Sequence, residues 1–310
     1  MINADLDVLT TSIDWLKAGY QVELVTVATT WGSSPKPPGS LAAVRNDGVL
    51  VGSVSGGCVE KQLSESFRSQ IVTRVHAHHI DDQQARRFGL ACGGQLELVY
   101  ESLNDSAQLQ TIVDAINQRQ KLVRTVSIGS ADAVLSPANT TDAFSFDGKT
   151  LTKVFGPQWQ VLLIGAGQLS AFVAQFAMAT DFSVLVCDPR PEFQLAWNTT
   201  GATLLKLEPH EAVIQHATDY NTAVLALTHD PNLDDAALLE ALEVDSFYVG
   251  ALGSKQNYEK RCERLSSLLE AEQLTKLYSP IGLAIGSRSS AEIAISIVAQ
   301  LVEKRAAIGN

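Results

Sequence analysis

The chain has 310 residues, room for one large domain or two ordinary ones, and its 45% hydrophobic and 18% charged residues are those of a soluble globular protein with a buried core. A formal net charge of -11 argues against non-specific nucleic-acid binding, which needs a basic face. No apolar run reaches the length of a bilayer span, the first residues lack the basic and apolar pattern of a signal peptide, and a cytoplasmic location is expected.

In chain order, apolar spacing predicts a helix over 5–18, with Leu6, Leu9, Ile13 and Leu16 on one side. A strand over 22–29 precedes a loop rich in Gly, Ser and Pro over 31–40. Strands over 41–45 and 49–54 flank Asn46-Asp47-Gly48, a hairpin signal. The turn Ser55-Gly56-Gly57 opens a helix over 59–71. Strands over 73–79 and 95–101, a helix over 107–119, and strands over 123–129 and 131–135 complete a mixed α+β half, whose last stretch, 130–149, is rich in Ala, Thr, Ser and Asp.

A boundary near Phe155-Gly156-Pro157 divides the chain into an N-terminal domain over 1–155 and a C-terminal domain over 156–310. Strands over 160–164, 182–187, 203–206, 223–227 and 246–249 alternate with helices, among them 169–179 and 290–304. Alternation with short connections predicts a parallel sheet covered on both faces, so the fold class is α/β with a Rossmann-like, doubly wound second domain.

The string Gly165-Ala-Gly-Gln-Leu-Ser170 nearly matches the dinucleotide fingerprint. It follows a strand, opens a helix, and Asp188 ends the next strand. Gly165 would allow the tight turn, Gly167 the approach of a pyrophosphate, and Asp188 would accept a ribose hydroxyl or merely open the turn at Asp188–Pro191. Ser170 stands where close packing prefers Gly or Ala. NAD(P) is therefore left open as a second ligand. His229, after the strand over 223–227, lies where open parallel sheets bind ligands, or is only a polar loop residue.

Four cysteines, Cys58, Cys92, Cys187 and Cys262, are too few for a disulfide framework. Cys58 follows Gly56 and Gly57 at a helix start, where bare amides suit an anion and the helix dipole favours a thiolate. Glu60 would partly oppose that effect, and a small buried cysteine is the plainer reading. Cys92 precedes Gly93 and Gly94 in a second turn of like character. His76 and His78 fall on one face of a strand and His79 on the other, with no further ligands at metal-site spacing, so a surface strand is expected there.

These strings together resemble the XdhC/CoxI family over nearly the whole chain. The resemblance is carried by 26–40, by Gly52-Ser-Val-Ser-Gly-Gly-Cys-Val-Glu60, and by Gly89-Leu-Ala-Cys-Gly-Gly94. It continues through Gly165-Ala-Gly167, Asp188-Pro-Arg190 and 226–235, then 248–255, 279–286 and 290–297. The resemblance implies a homodimeric accessory factor that receives the molybdenum cofactor (molybdopterin) as cargo. Such a factor protects it while a cysteine desulfurase exchanges an oxo ligand for sulfur, and helps insert it into an apo molybdenum hydroxylase of the xanthine-dehydrogenase kind. Carried onto this chain, Cys58, Glu60 and Cys92 become cofactor contacts, with Cys58 and Cys92 as metal ligands and Ser34 and Lys36 in the adjoining loop. Lys36 stands where the family usually has Arg, and Ser40 where Ala is usual; Lys lacks the bidentate fork suited to phosphate. No catalytic residue is assigned, and a cofactor-handling factor is favoured over an enzyme. The rival readings are an NAD(P)-dependent oxidoreductase with His229 as proton donor, and a scaffold joining desulfurase to apo-dehydrogenase.

Overall fold

The computed structural model describes residues 4–32, 36–57, 59–65, 67, 73–80, 94–130, 132–139 and 142–308. The chain divides into two compact units, one ending at Pro157 and the other running from Gln158.

In the first unit, helix α1 (Ala4–Lys17) buries Val8, Leu9 and Ile13, as its apolar spacing requires. Strands β1 (Val22–Gly32), β2 (Leu41–Arg45) and β3 (Leu50–Gly52) form an antiparallel meander, with Gly48 at φ 86° in the β2–β3 turn. Helix α2 (Glu60–Glu65) follows, then β4 (Arg74–Ile80) and β5 (Gly94–Leu103), giving a sheet of order β3-β2-β1-β5-β4. The expected helix over 59–71 is shorter at its described end, because Phe67 is not helical.

Helix α3 (Ala107–Asn117) packs Leu109, Ile112, Val113 and Ile116 into a core shared with α1. Strands β6 (Leu122–Ser127), β7 (Ala133–Pro137), β8 (Ser145–Phe146) and β9 (Thr150–Phe155) make a second antiparallel sheet, of order β7-β6-β9-β8. Strand β9 was not expected from the sequence. Its alternation Leu151, Lys153, Phe155 follows a polar stretch, and β6 supplies the pairing that fixes it.

The second unit holds strands β10 (Gln160–Ile164), β11 (Ser183–Cys187), β12 (Thr203–Leu205), β13 (Thr222–Ala226), β14 (Tyr248–Ala251) and β15 (Leu277–Tyr278). All neighbours pair in parallel, in the order β12-β11-β10-β13-β14-β15. This is the strand order of dinucleotide-binding sheets, with its switch point between β10 and β13. Strands β10 and β13 are buried at every residue, as expected of a sheet covered on both faces.

One face packs under α4 (Gln168–Ala179) and α10 (Ser290–Ile308), through Val173, Ala177, Ile297 and Leu301. The other packs under α6 (Pro209–His216) and α7 (Pro231–Glu243), through Val213, Leu238 and Leu242. Helices α5 (Pro191–Ala196), α8 (Lys255–Leu265) and α9 (Ala271–Leu274) complete the unit. Strand β14 begins two residues later than expected, with Tyr248 fully buried. Among the described residues no helix is long and apolar enough to cross a membrane.

Candidate functional site

The turn leaving β3 is forced by Gly52. Its φ is 79°, and a Cβ there would lie 2.5 Å from both the Leu41 carbonyl oxygen and Val8 Cγ2, so only glycine fits. The chain then folds around the Glu60 carboxylate. Oε1 accepts from Ser53 Oγ (2.7 Å), Val54 N (3.0 Å) and Ser55 N (2.9 Å). Oε2 accepts from Ser55 Oγ, from Gly57 N (2.8 Å) and from Val59 N (3.2 Å). Gly56 N donates to Ser53 Oγ at 3.0 Å.

The expectation of bare amides at Gly56 and Gly57 is thus corrected: the loop carries its own anion. Burial pushes the Glu60 carboxyl up, but the hydrogen bonds from Ser53 and Ser55 outweigh it and hold its pKa down at about 2. The amides on either side of position 58 both donate to this one carboxylate. Cys58, Cys92, Gly93 and Ser34 lie outside the described residues, and Lys36 is half-buried.

Among the histidines, His76 is exposed, and His78 is half-buried with Nε2 2.6 Å from the Tyr100 hydroxyl. Burial, then the neighbouring His76, pushes the His78 pKa down to about 4. Among the described residues no group of three or more His, Cys, Asp or Glu is placed to hold a metal ion. Cys187 is buried, and burial followed by Asp188 pushes its thiol pKa up to about 12, which leaves it inert.

In the second unit, Gly165 has φ 110°, and a Cβ there would lie 3.1 Å from Thr228 Cγ2 and 3.2 Å from Thr228 N. Its smallness lets the loops after β10 and β13 touch across the switch point. Gly167 caps α4 without a side-chain capping bond and has open space where a Cβ would stand. Asp188, in contrast, is fully buried. Oδ2 accepts from Ala166 N and from Arg190 Nη2, both at 2.8 Å, and Oδ1 accepts from Arg190 N (3.1 Å) and Nε (2.8 Å). Burial raises its pKa, but the Arg190 guanidinium outweighs this and the carboxyl sits below its ordinary value. A ribose hydroxyl would have to displace Arg190 to reach it.

His229 is exposed at φ 62°. Its loop is braced by buried Asp234, whose Oδ1 accepts from Thr228 N (3.1 Å) and Oγ1 (2.7 Å) and whose Oδ2 accepts from Arg261 (3.2 Å). His229, Asn257, Lys260 and Arg264 share the lining of a cavity of about 200 Å³ beyond β13 and β14.

Sequence reasoning missed three bracing partners: the Ser53 and Ser55 hydroxyls, Arg190, and Asp234 with Arg261. The first two had signals, an acid three residues after Gly57 in capping-box position and an Arg two residues after Asp188. The third pairs residues distant in sequence and had none.

The geometry defines a two-unit α/β protein whose second unit is a Rossmann-type sheet and whose first carries an acid-braced glycine turn. Residues 161–301 match the XdhC Rossmann domain and residues 15–79 match the XdhC and CoxI family. The chain belongs to the XdhC/CoxI family. It is 26% identical over 301 residues to the molybdenum cofactor insertion chaperone PaoD of Escherichia coli, covering 96% of this chain and 88% of that protein. It is 24% identical to a Bacillus subtilis protein named as a probable xanthine dehydrogenase subunit, covering 91% of this chain and 92% of that one. A solved structure described as a xanthine dehydrogenase from Bacillus halodurans shares the fold, with a TM-score of 0.77 and 22% identity over 98% of this chain and 96% of the other.

Proposed function

We propose that this chain binds the molybdenum cofactor as cargo in the cytoplasm and helps insert it into an apo molybdenum hydroxylase of the xanthine-dehydrogenase kind. The observation that carries the reading is the end-to-end similarity to a protein named as a molybdenum cofactor insertion chaperone. In this reading Cys58 and Cys92 are soft donors toward molybdenum, and the cargo is shielded while a cysteine desulfurase exchanges oxo for sulfur. The chain acts as a homodimer. The remaining contacts fall to Gly93, Ser34 and Lys36, because the Gly56 and Gly57 amides already donate to Ser53 Oγ and Glu60 Oε2.

Glu60 contributes by fixing the turn rather than by gripping an anion, since both of its oxygens are already taken by Ser53, Val54, Ser55, Gly57 and Val59. Its rigidity sets the two chain atoms that flank Cys58, so the ordering entropy is already spent before cargo arrives.

The rival, an NAD(P)-dependent oxidoreductase, draws support from the strand order and the open space at Gly167. The enclosure of Asp188 by Arg190 weighs against an ordinary ribose contact. Anaerobic titration of the apo-protein with molybdenum cofactor tests the proposal. Saturable binding that weakens at least tenfold in Cys58→Ala plus Cys92→Ala supports it. Unchanged affinity in that variant removes the thiolate role, and no binding by the wild type overturns the reading. Calorimetry with NADH and NADPH tests the rival, which requires tight binding with turnover.

A further inference from the structure

The cavity of about 200 Å³ in the second unit lies past the carboxyl ends of β13 and β14, the end at which open parallel sheets bind ligands. His229 reaches its lining from the loop after β13, and Asn257, Lys260, Arg261 and Arg264 from α8. These four stand at i, i+3, i+4 and i+7, so one face of the helix supplies them. Three of the residues that line the cavity are cations, and among the described ones none is a carboxylate, in a chain whose formal net charge is -11.

The nearby acids hold the arginines instead. Asp234 Oδ2 accepts from Arg261 Nη2 at 3.2 Å, while Asp235 accepts from Arg261 Nε at 3.3 Å and from Arg264 Nε at 2.6 Å. Those bonds fix and balance two guanidinium groups, of which the Arg261 side chain is 6% exposed and the Arg264 side chain 44%. Lys260 is not balanced in this way. It is exposed, and among the described residues no carboxylate lies within ion-pair distance of its ammonium. A lysine held against a fixed positive wall raises the local concentration of anions. A carboxylate presents its oxygens in one plane, whereas a phosphate presents three or more around one centre and suits donors that converge from a helix and a loop.

We propose that this cavity is an anion site that receives a phosphate group of a small ligand. The Lys260 ammonium is its charged contact, Asn257 and His229 are further donors, and Arg261 and Arg264 form the positive wall behind them. A nucleotide carries such a group, and so does the phosphate tail of a molybdenum-bound pterin. The site holds whether or not the chain carries that cargo.

Pyrophosphate, titrated into the full chain by calorimetry, is the first probe, with AMP and, under anaerobic conditions, the molybdenum cofactor as parallel arms. The wild type binds pyrophosphate saturably, and more weakly as salt is added. Lys260→Gln weakens that binding by roughly tenfold, the loss of one charge-assisted hydrogen bond. Lys255→Gln, on the same helix but outside the lining, leaves it unchanged. Both side chains are exposed, so both variants keep the wild-type circular dichroism. A parallel fall for AMP identifies a nucleotide as the source of the phosphate, and a parallel fall for the cofactor identifies the cargo's tail. No saturable pyrophosphate binding, affinity that ignores Lys260→Gln, or an equal loss in Lys255→Gln overturns the proposal. So does pyrophosphate binding through Lys260 when neither AMP nor the cofactor depends on that residue, because the cavity then holds an adventitious ion only. Cofactor binding that persists while the pyrophosphate test fails sinks the anion site and spares the cargo reading. Lys260-dependent binding of AMP without any cofactor binding does the reverse.

Discussion

Both units let a strand run into a glycine turn and then a helix, and both turns have a carboxylate of the same chain upon their amides. The routes differ. In the first unit Glu60 reaches back a few residues and takes four amides and two hydroxyls. In the second, Asp188 arrives from the neighbouring strand, takes only Ala166 N from the turn, and is otherwise occupied by Arg190. The first turn is closed by its own anion. The second keeps open space at Gly167. A glycine-rich turn is thus a set of donors whose vacancy depends on which acid the fold delivers to it.

The strongest way to break this comparison is Asp188→Ala. It strips a buried carboxylate from Arg190 and from Ala166 N, and should destabilise the second unit by about 3 kcal/mol, read by denaturant unfolding. A change under about 1 kcal/mol would mean that the brace is dispensable. Next comes Glu60→Ala, which orphans the donors of a partly exposed turn and should cost about 2 kcal/mol, with Glu60→Gln costing less because an acceptor remains.

The same carboxylate gives a pH signature. Its folded pKa of about 2 lies below the ordinary 4.5, so its contribution is complete above pH 4.5 and is lost as pH falls from there toward 2. The stability gap between wild type and Glu60→Gln should close across that window, and a gap that persists to its bottom would contradict the assignment.

The smallest effect is at Ser170. It is buried, and among the described residues its hydroxyl has no partner, so Ser170→Ala should raise stability by roughly 0.5 to 1 kcal/mol. A loss there would reveal a partner for that hydroxyl.

The alternation of apolar runs and amphipathic helices made the second unit legible, because a strand buried on both faces, such as Gln160–Ile164, has almost no polar residue to disguise it. The Asn46-Asp47-Gly48 hairpin was legible from turn chemistry. Strand Thr150–Phe155 was not, since its identity comes from pairing with Leu122–Ser127, and neither was Leu277–Tyr278, too short for any periodicity. At the candidate site the glycine turn was located correctly but its charge was misjudged. The sequence places Glu60 against the helix dipole, whereas the side chain folds back over the turn it follows. Asp188 likewise reads as a free acid until Arg190 is seen on it. Backbone positions declare themselves in sequence; which donor meets which acceptor is settled by packing.

The proposed role requires that this chain carry the cargo. Anaerobic purification from cells that make molybdenum cofactor, followed by metal and pterin analysis, should recover molybdenum and pterin together in equal amounts with the wild-type chain, and neither with the double cysteine variant. A wild-type preparation that brings down neither, from cells shown to contain the cofactor, would contradict it.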